Sequence, residues 1–475
     1  MNRIKFLYSI FAAAVVAAVS LTSCIEDDVT LSAADQPLFS ADTLDVGTIF
    51  LDEPSQTHAL KAYNRSNKVL RISRIGFADN SQGCFRINVD GFAGREFHDV
   101  EIRPDDSIFI LVSGTVPATL SAPDVEEELQ FTTNGVTQKV ILKATGLDVV
   151  TLKDPVIESD TRWSADKPVR IFGSLTVAAG AQLTLPAGLT VYMHDKGTIE
   201  VHGSIRSEGT PEHPVVIRGD RSGTVITGIT FDLMSRQWAG MTIHGDASPS
   251  ELQFTEIRNT EYGVIVEGPH ASEEPILTLR GCRLRNSRDN VLLSRHSSIR
   301  AVATEFAEAG AGAVAVTGGK GYFDHCTFAN YYLFSGITGA LLTIRHCNAE
   351  SIDDEAPQLP LAQVSVSNSI FYGSSADMWP GDLDDTQVYV HRSLLRSNGT
   401  DDAHFTSILW GEDPLFQTNR QEYYFDYRLG EGSVALGASD LSTTAADLPL
   451  TDFYGAARPA TPALGAYEQI PSEIQ

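Results

Sequence analysis

Lysine almost disappears from the second half of this chain. After Lys196 only Lys320 remains, flanked by Gly318, Gly319 and Gly321. Basic residues are scarce throughout: 35 Lys+Arg stand against 61 Asp+Glu, a formal charge of −26. That balance excludes nucleic acid as a partner, whose phosphates it would repel, and adhesion to anionic lipid by charge. Cysteine is sparse as well. The five cysteines lack CxxC-type spacing, so they suit neither a zinc site nor a disulfide framework. Past the first two dozen residues no apolar run is long enough for a transmembrane helix. Dinucleotide, phosphate-loop and nucleophile-elbow motifs are missing, and no acid cluster has calcium-site spacing, so no cofactor or metal is expected.

What the chain does have begins at its N-terminus. Arg3 and Lys5 precede an apolar run from Leu7 through Val19, the order of a secretion signal over residues 1–23. Leu21-Thr22-Ser23-Cys24 follows, and this resembles the lipobox of bacterial lipoproteins. The resemblance implies cleavage before Cys24 and a diacylglycerol on its thiol, with the membrane as a partner through that anchor. Cleavage there removes two basic residues and no acids, leaving 33 − 61 = −28. A plain secretory peptide with an incidental Cys24 is the alternative. Glu26-Asp27-Asp28 resembles the acidic export tag of lipoproteins displayed on the outer face of the outer membrane. A solvated linker facing the periplasm is the alternative there. Residues 24–37 carry acids, Ser and Ala without apolar periodicity and read as a tether.

Two β architectures follow, so the fold class expected is all-β. Residues 38–148 hold short alternating segments such as Thr43–Gly47, Leu60–Asn64, Val69–Ile72, Ile108–Val112, Leu129–Phe131 and Val140–Leu142, with turn signals at Pro104-Asp105-Asp106 and Asn134-Gly135. About seven short strands over this length predict a sandwich. The segments around Leu44–Gly47, Asn64, Leu70–Ile72 and Ala144–Gly146 resemble immunoglobulin-like modules of bacterial surface proteins, which implies a spacer or docking unit.

From 149 to 410 Gly becomes frequent and apolar pairs recur two residues apart: Leu175/Val177, Leu183/Leu185, Val191/Met193, Ile199/Val201, Val215/Ile217. A small or polar residue precedes an apolar or small one at Thr255/Ile257, Cys282/Leu284, Thr304/Phe306, Cys326/Phe328, Cys347/Ala349 and Asn368/Ile370, in steps of 27, 22, 22, 21 and 21. A further column runs Leu252, Leu279, Ala301, Phe323, Ile344, Ser365. This repeat resembles the right-handed parallel β-helix, one repeat per coil. The phase predicts Leu284, Phe306, Phe328 and Ile370 inward, Glu256, Arg283 and Glu305 outward as a charge ladder, and Cys326 and Cys347 as stacked neighbours in a buried thiol ladder. Residues 411–475 carry Asp413-Pro414-Leu415-Phe416, Asp426-Tyr427-Arg428-Leu429, Asp452, Gly455, Arg458 and Gly465-Ala466-Tyr467-Glu468. This set resembles the closing segment of β-helix surface proteins and implies a cap over the last coil.

The chemistry is less legible. β-Helix hydrolases need two or three carboxylates around one bond. Asn-x-Asp occurs only at Asn88-Val89-Asp90 in the sandwich, and Asp353-Asp354 and Asp384-Asp385 are common loop pairs in so acidic a chain. No catalytic residue is assigned. Lys320 reads as a turn between coils. The run from Arg280 to Arg300 is rich in Arg, and Arg280, Arg285, Arg288 and His296, with Tyr331, Tyr332 and Trp379, form the candidate ligand-binding set. Trp238 and Trp410 are further aromatics for sugar stacking, with packing the plainer role for Trp238. The reading is a non-enzymatic, lipid-anchored outer-membrane surface protein binding polysaccharide or a partner protein. The alternatives are a divergent polysaccharide lyase or hydrolase, and a structural or adhesive stalk.

Overall fold

The computed structural model describes residues 28–226, 228–268, 274–345, 362–379 and 387–469. Cys24, Glu26 and Asp27 lie outside them, as do Cys347, Asp353, Asp354, Asp384 and Asp385. The chain divides into two compact units, Met1–Asp148 and Val149–Gln475.

The first unit is a sandwich of two five-stranded sheets. One sheet runs Leu38–Phe39, His58–Tyr63, Ser107–Gly114, Phe85–Val89, Phe92–Gly94; the other runs Thr43–Phe50, Val136–Leu147, Asp124–Thr133, Leu70–Phe77, Glu96–Ile102. Alternation builds it. In Ser107–Gly114, Ile108, Ile110 and Val112 point into the core while Phe109 and Leu111 stay exposed. Asn134 and Gly135, both at positive φ, turn the hairpin between Asp124–Thr133 and Val136–Leu147, where Thr133 pairs with Val136. The sandwich has ten strands where about seven were expected, because Phe92–Gly94, Glu96–Ile102 and the two-residue edge strand carry weak apolar alternation.

The second unit is a parallel β-helix whose coils stack three sheets. Sheet I has eleven strands, from Val150–Lys153 to Leu409–Trp410; sheet II has nine, from Val156–Ile157 to Met378–Trp379; sheet III has ten, from Thr161–Arg162 to Phe405–Thr406. Every neighbouring pair within them is parallel, so equal positions of successive coils form columns about 4.8 Å apart. Ile257, Leu284, Phe306, Phe328, Phe371 and Leu395 make one inward column of sheet I. The rings of Phe306 and Phe328 stack at 5.2 Å, and those of Phe328 and Phe371 at 4.3 Å.

The expected phase holds as far as Phe328 and then slips. Ile370 pairs with Thr327, so Phe371 and not Ile370 continues the phenylalanine column. The strand Leu342–Arg345 belongs to sheet II, beside Val314–Thr317, and Ile344 therefore leaves its expected column for one with Val316. Val366, not Ser365, lies next to Phe323. Ser369 receives the Cys326 N–H at 3.0 Å, so the coil after Cys326 presents a serine where Cys347 was expected. The column is Thr255, Cys282, Thr304, Cys326, Ser369 and Ser393. Its hydroxyls accept backbone N–H groups of the neighbouring coil, at 3.4 Å for Cys282 to Thr304 and 3.1 Å for Ser369 to Ser393. That is why small hydroxyl or thiol side chains recur at this corner. Just before each of these columnar residues one residue takes positive φ: Phe254, Gly281, Ala303, His325, Asn368 and Arg392. A single left-handed residue turns the chain from sheet III to sheet I.

The C-terminal segment packs along the outward side of sheet I, where a cover over the last coil was expected. Tyr427, Phe453, Ala466 and Tyr467 cluster with Phe254, Ala307 and Ala329, and Leu429, Ala435, Ala463 and Leu464 with Ile370 and Leu394. The outward positions there turn small or apolar, from Thr327 to Ile370 and Leu394, and cannot stay wet. The recurrent residues of the segment lock it in place. Fully buried Asp452 accepts the N–H groups of Tyr454, Ala456 and Glu468, and Arg458 pairs with Glu468 at 2.8 Å. Gly465, at φ 82°, lies so close to sheet I that a Cβ would come within 2.7 Å of Thr327 Oγ1.

Candidate functional site

A β-helix distributes each 22-residue stretch over three faces, and the Arg280–Arg300 run is dispersed in this way. Arg280 lies on sheet III, paired with Glu251 and, at 2.7 Å, with Asp447 of the C-terminal segment. Arg285 is on sheet I, buried, 3.6 Å from Glu305 and donating to the Phe425 carbonyl at 3.3 Å. Arg288 is exposed just after that strand, and half-buried His296 stands at a positive-φ corner after sheet II. The basic residues of this run do not form one patch, because their closeness in sequence spans a whole turn of the solenoid.

The aromatics of the candidate set are also accounted for by packing. Tyr332 is buried, with its hydroxyl 2.6 Å from Ser235 Oγ. Tyr331 stacks on Tyr427 and carries the Arg420 guanidinium over its ring, and burial pushes its hydroxyl up to about 12. Both were expected to bind ligand, and packing occupies them instead. Trp379 ends the last strand of sheet II, and its side chain lies outside the described residues. Trp238 is buried and donates from Nε1 to the Arg258 carbonyl at 2.8 Å, while Trp410 donates to Asp401.

Glu256, Arg283 and Glu305 do point outward from sheet I, yet all three are buried, because the C-terminal segment covers them. Arg283 sits 3.1 Å from Glu256 and 3.7 Å from Glu305, under the rings of Phe453 and Tyr454. Tyr467 donates its hydroxyl to Glu305 at 2.5 Å, and Tyr427 donates to Glu308. Burial drives the Glu308 carboxyl up to about 7. This is an internal network with no path to a ligand through the segment above it.

On the uncovered early coils of sheet I, buried Asp220 accepts from Arg170 at 2.8 Å and lies 2.7 Å from His194 Nδ1. Among the described residues no group of three or more His, Cys, Asp or Glu is placed to hold a metal ion.

The outward side of sheet III is different. A groove of about 370 Å³ lies across its later coils. Its polar lining comes from four successive coils: Ser298 and Arg300, then Lys320 and Tyr322, then Gln363 and Ser365, then Gln387 and Tyr389. The described lining carries two phenols, two amides, two hydroxyls, a guanidinium and an ammonium, and no carboxylate or imidazole. The Arg300 guanidinium lies 4.4 Å from the Tyr322 ring centroid and is held by Asp447 at 2.6 Å. Burial, reinforced by Asp324, raises the Tyr322 hydroxyl above its ordinary range, so it stays a neutral donor and is a poor base. Lys320 opens the strand Lys320–Asp324 and is not a turn residue. The sequence signal was present: Arg300 and Tyr322 stand one place before Ala301 and Phe323 in a column already counted. The slip after Phe328 hid the continuation to Ser365 and Tyr389.

No protein-family model matches the chain, and no curated protein matches it. Among solved structures, the chain is similar to a protein of unknown function from Porphyromonas gingivalis W83 at 16% identity, covering 24% of this chain and 49% of that one, with a TM-score of 0.19. It is similar to a family 123 glycoside hydrolase from Clostridium perfringens at 8% identity, covering 26% of each chain, with a TM-score of 0.18. The chain thus spans about half the length of the first and a quarter of the second. The catalytic unit of a thermostable GH87 alpha-1,3-glucanase from Streptomyces thermodiastaticus strain HF3-3 matches at 10% identity over 73% of this chain and 76% of that one, with a TM-score of 0.25.

Proposed function

We propose that this is a surface lipoprotein, anchored through Cys24 to the outer membrane, that binds polysaccharide through the groove on sheet III. The sandwich, read as immunoglobulin-like, serves as a spacer or docking unit. The observation that carries the reading is the lining: two tyrosines, with amide and hydroxyl side chains between them, in a groove beside the point where Asp447 of the C-terminal segment meets Arg300. Sugars present C–H faces to aromatic rings and hydroxyls to amides, and the lining offers both. A divergent hydrolase or lyase and a structural stalk are the alternatives, and turnover separates the first of them from binding.

The test is a glycan array probed with the full chain, followed by incubation of any bound glycan and assay for new reducing ends or unsaturated products. Binding without turnover is the expected result. Turnover would favour the divergent hydrolase or lyase, and neither binding nor turnover would favour the stalk.

A further inference from the structure

Along sheet III one outward strand position reads Thr278, Arg300, Tyr322, Ser365, Tyr389 in successive coils. Arg300 lies over one face of Tyr322, 4.4 Å from its centroid. Tyr389 stacks on His404 at 5.7 Å with the planes 17° apart. Arg300 precedes Tyr322 in the column and His404 follows Tyr389, so each tyrosine turns one ring face along the solenoid axis toward Ser365. Ser365, exposed between them, contributes no ring. The stack therefore lacks one rung. Two coils separate the tyrosines by on the order of 9–10 Å, twice the strand spacing. A ring placed midway would meet each face at about 5 Å, an ordinary ring-stacking distance.

We infer that the slot over Ser365 takes a single hexopyranose ring of a bound glycan, clamped face to face between Tyr322 and Tyr389. This rests on the glycan-binding reading of the groove and adds where one sugar sits and how it is held. The pyranose fits better than a flat aromatic ring because of what edges the slot. Gln363 shares the Ser365 strand, Gln387 lies beside it in the next coil and Lys320 in the previous one. The two amides match the hydroxyls around a saturated ring as donors and acceptors, which an aromatic ring does not present.

The test is to supply the missing rung. Ser365→Phe fills the slot from the protein side. Its ring stacks between the two tyrosines, so the melting temperature should hold or rise. The probes are cello-, laminari-, malto-, manno- and chito-tetraose, with indole as an aromatic control, followed by ligand-observed NMR on the full chain. Wild type should bind at least one tetrasaccharide, and Ser365→Phe should weaken it at least tenfold without a lowered melting temperature. Tyr322→Ala and Tyr389→Ala should weaken it as well. If Ser365→Phe fails to fold, Ser365→Gln, which narrows the slot without a ring, carries the same expectation. Binding that survives Ser365→Phe but is lost in the tyrosine variants would overturn the slot and leave the groove reading standing. Indole binding in place of every sugar would overturn the pyranose. Failure of every tetrasaccharide here and of every array glycan with wild type would overturn the groove reading itself.

Discussion

Sheets I and III are built by one rule and end in opposite states. Both place alternate side chains outward, and both carry charged and aromatic residues in those outward columns. On sheet I the column through Val216, Glu256, Arg283 and Glu305 runs on into Thr327 and Ile370, and the C-terminal segment closes over it. On sheet III the column through Arg206, Glu251, Thr278, Arg300 and Tyr322 continues to Ser365 and Tyr389, and its later coils line an open groove. Facing outward from a coil thus says nothing of meeting water. On sheet I the later coils turn apolar and the C-terminal chain closes over them, whereas on sheet III that chain pairs through Asp447 with Arg280 and Arg300 and the groove over the following coils stays polar.

The largest way to break this comparison is Arg283→Ala. An outward rung on an open face would lose about 1 kcal/mol or less. Here the guanidinium is buried between Glu256 and Glu305 beneath two aromatic rings. Its removal takes the shared cation from two buried carboxylates, leaving Arg258 beside Glu256 and Arg285 beside Glu305, and a loss of roughly 3 kcal/mol is expected by chemical denaturation. A loss under about 1 kcal/mol would show that the segment is not closed over sheet I in solution.

That contrast also marks how far the sequence could be read. The coils were legible because an inward apolar column obeys one constraint per turn, and Leu284, Phe306 and Phe328 satisfy it. The slip came from arithmetic. Cys326 to Ser369 is 43 residues, close to two coils, yet Thr327–Asn330 pairs directly with Ile370–Gly373. A long excursion within one coil mimics an extra coil when only spacing is counted, and Cys347 at the expected place completed the mimicry. The site was harder still. Burial of Arg283, Arg285 and Tyr332 depends on chain segments far away in sequence, and no local pattern reports it. Tyr322 and Tyr389 needed the correct register before they could be seen as neighbours but one.

A middle-sized effect sharpens the comparison through pH. Glu308, beneath Tyr427, is held protonated up to about 7 by burial. In the unfolded chain the same carboxyl ionises near its ordinary value of about 4.3. The unfolded state therefore gives up its proton first, and stability falls as pH rises from about 4.5 to 7, by at most about 1.4 kcal/mol per pH unit. Glu308→Gln keeps an acceptor for the Tyr427 hydroxyl and the Tyr331 N–H and cannot ionise. Denaturation at pH 5 should find the variant close to wild type, and at pH 8 it should be the more stable of the two. A variant that is less stable at both would mean that the carboxylate is ionised under the segment, with Arg285 as its counter-charge.

The smallest effect tests the open face itself. Arg206 occupies the same outward column of sheet III as Tyr322, but its side chain is 51% exposed and its nearest carboxylate, Glu208, is 3.5 Å away. The charge is hydrated in the folded and the unfolded chain alike, so its pairing competes with water and is screened by salt. Arg206→Ala should cost no more than about 0.5 kcal/mol, and less in high salt. The two arginines then differ by most of the value of a buried ion pair, although strand alternation treats them identically. If Arg206→Ala instead cost several kcal/mol, sheet III would have to be covered in the folded protein as sheet I is, and a groove that is covered cannot receive a glycan.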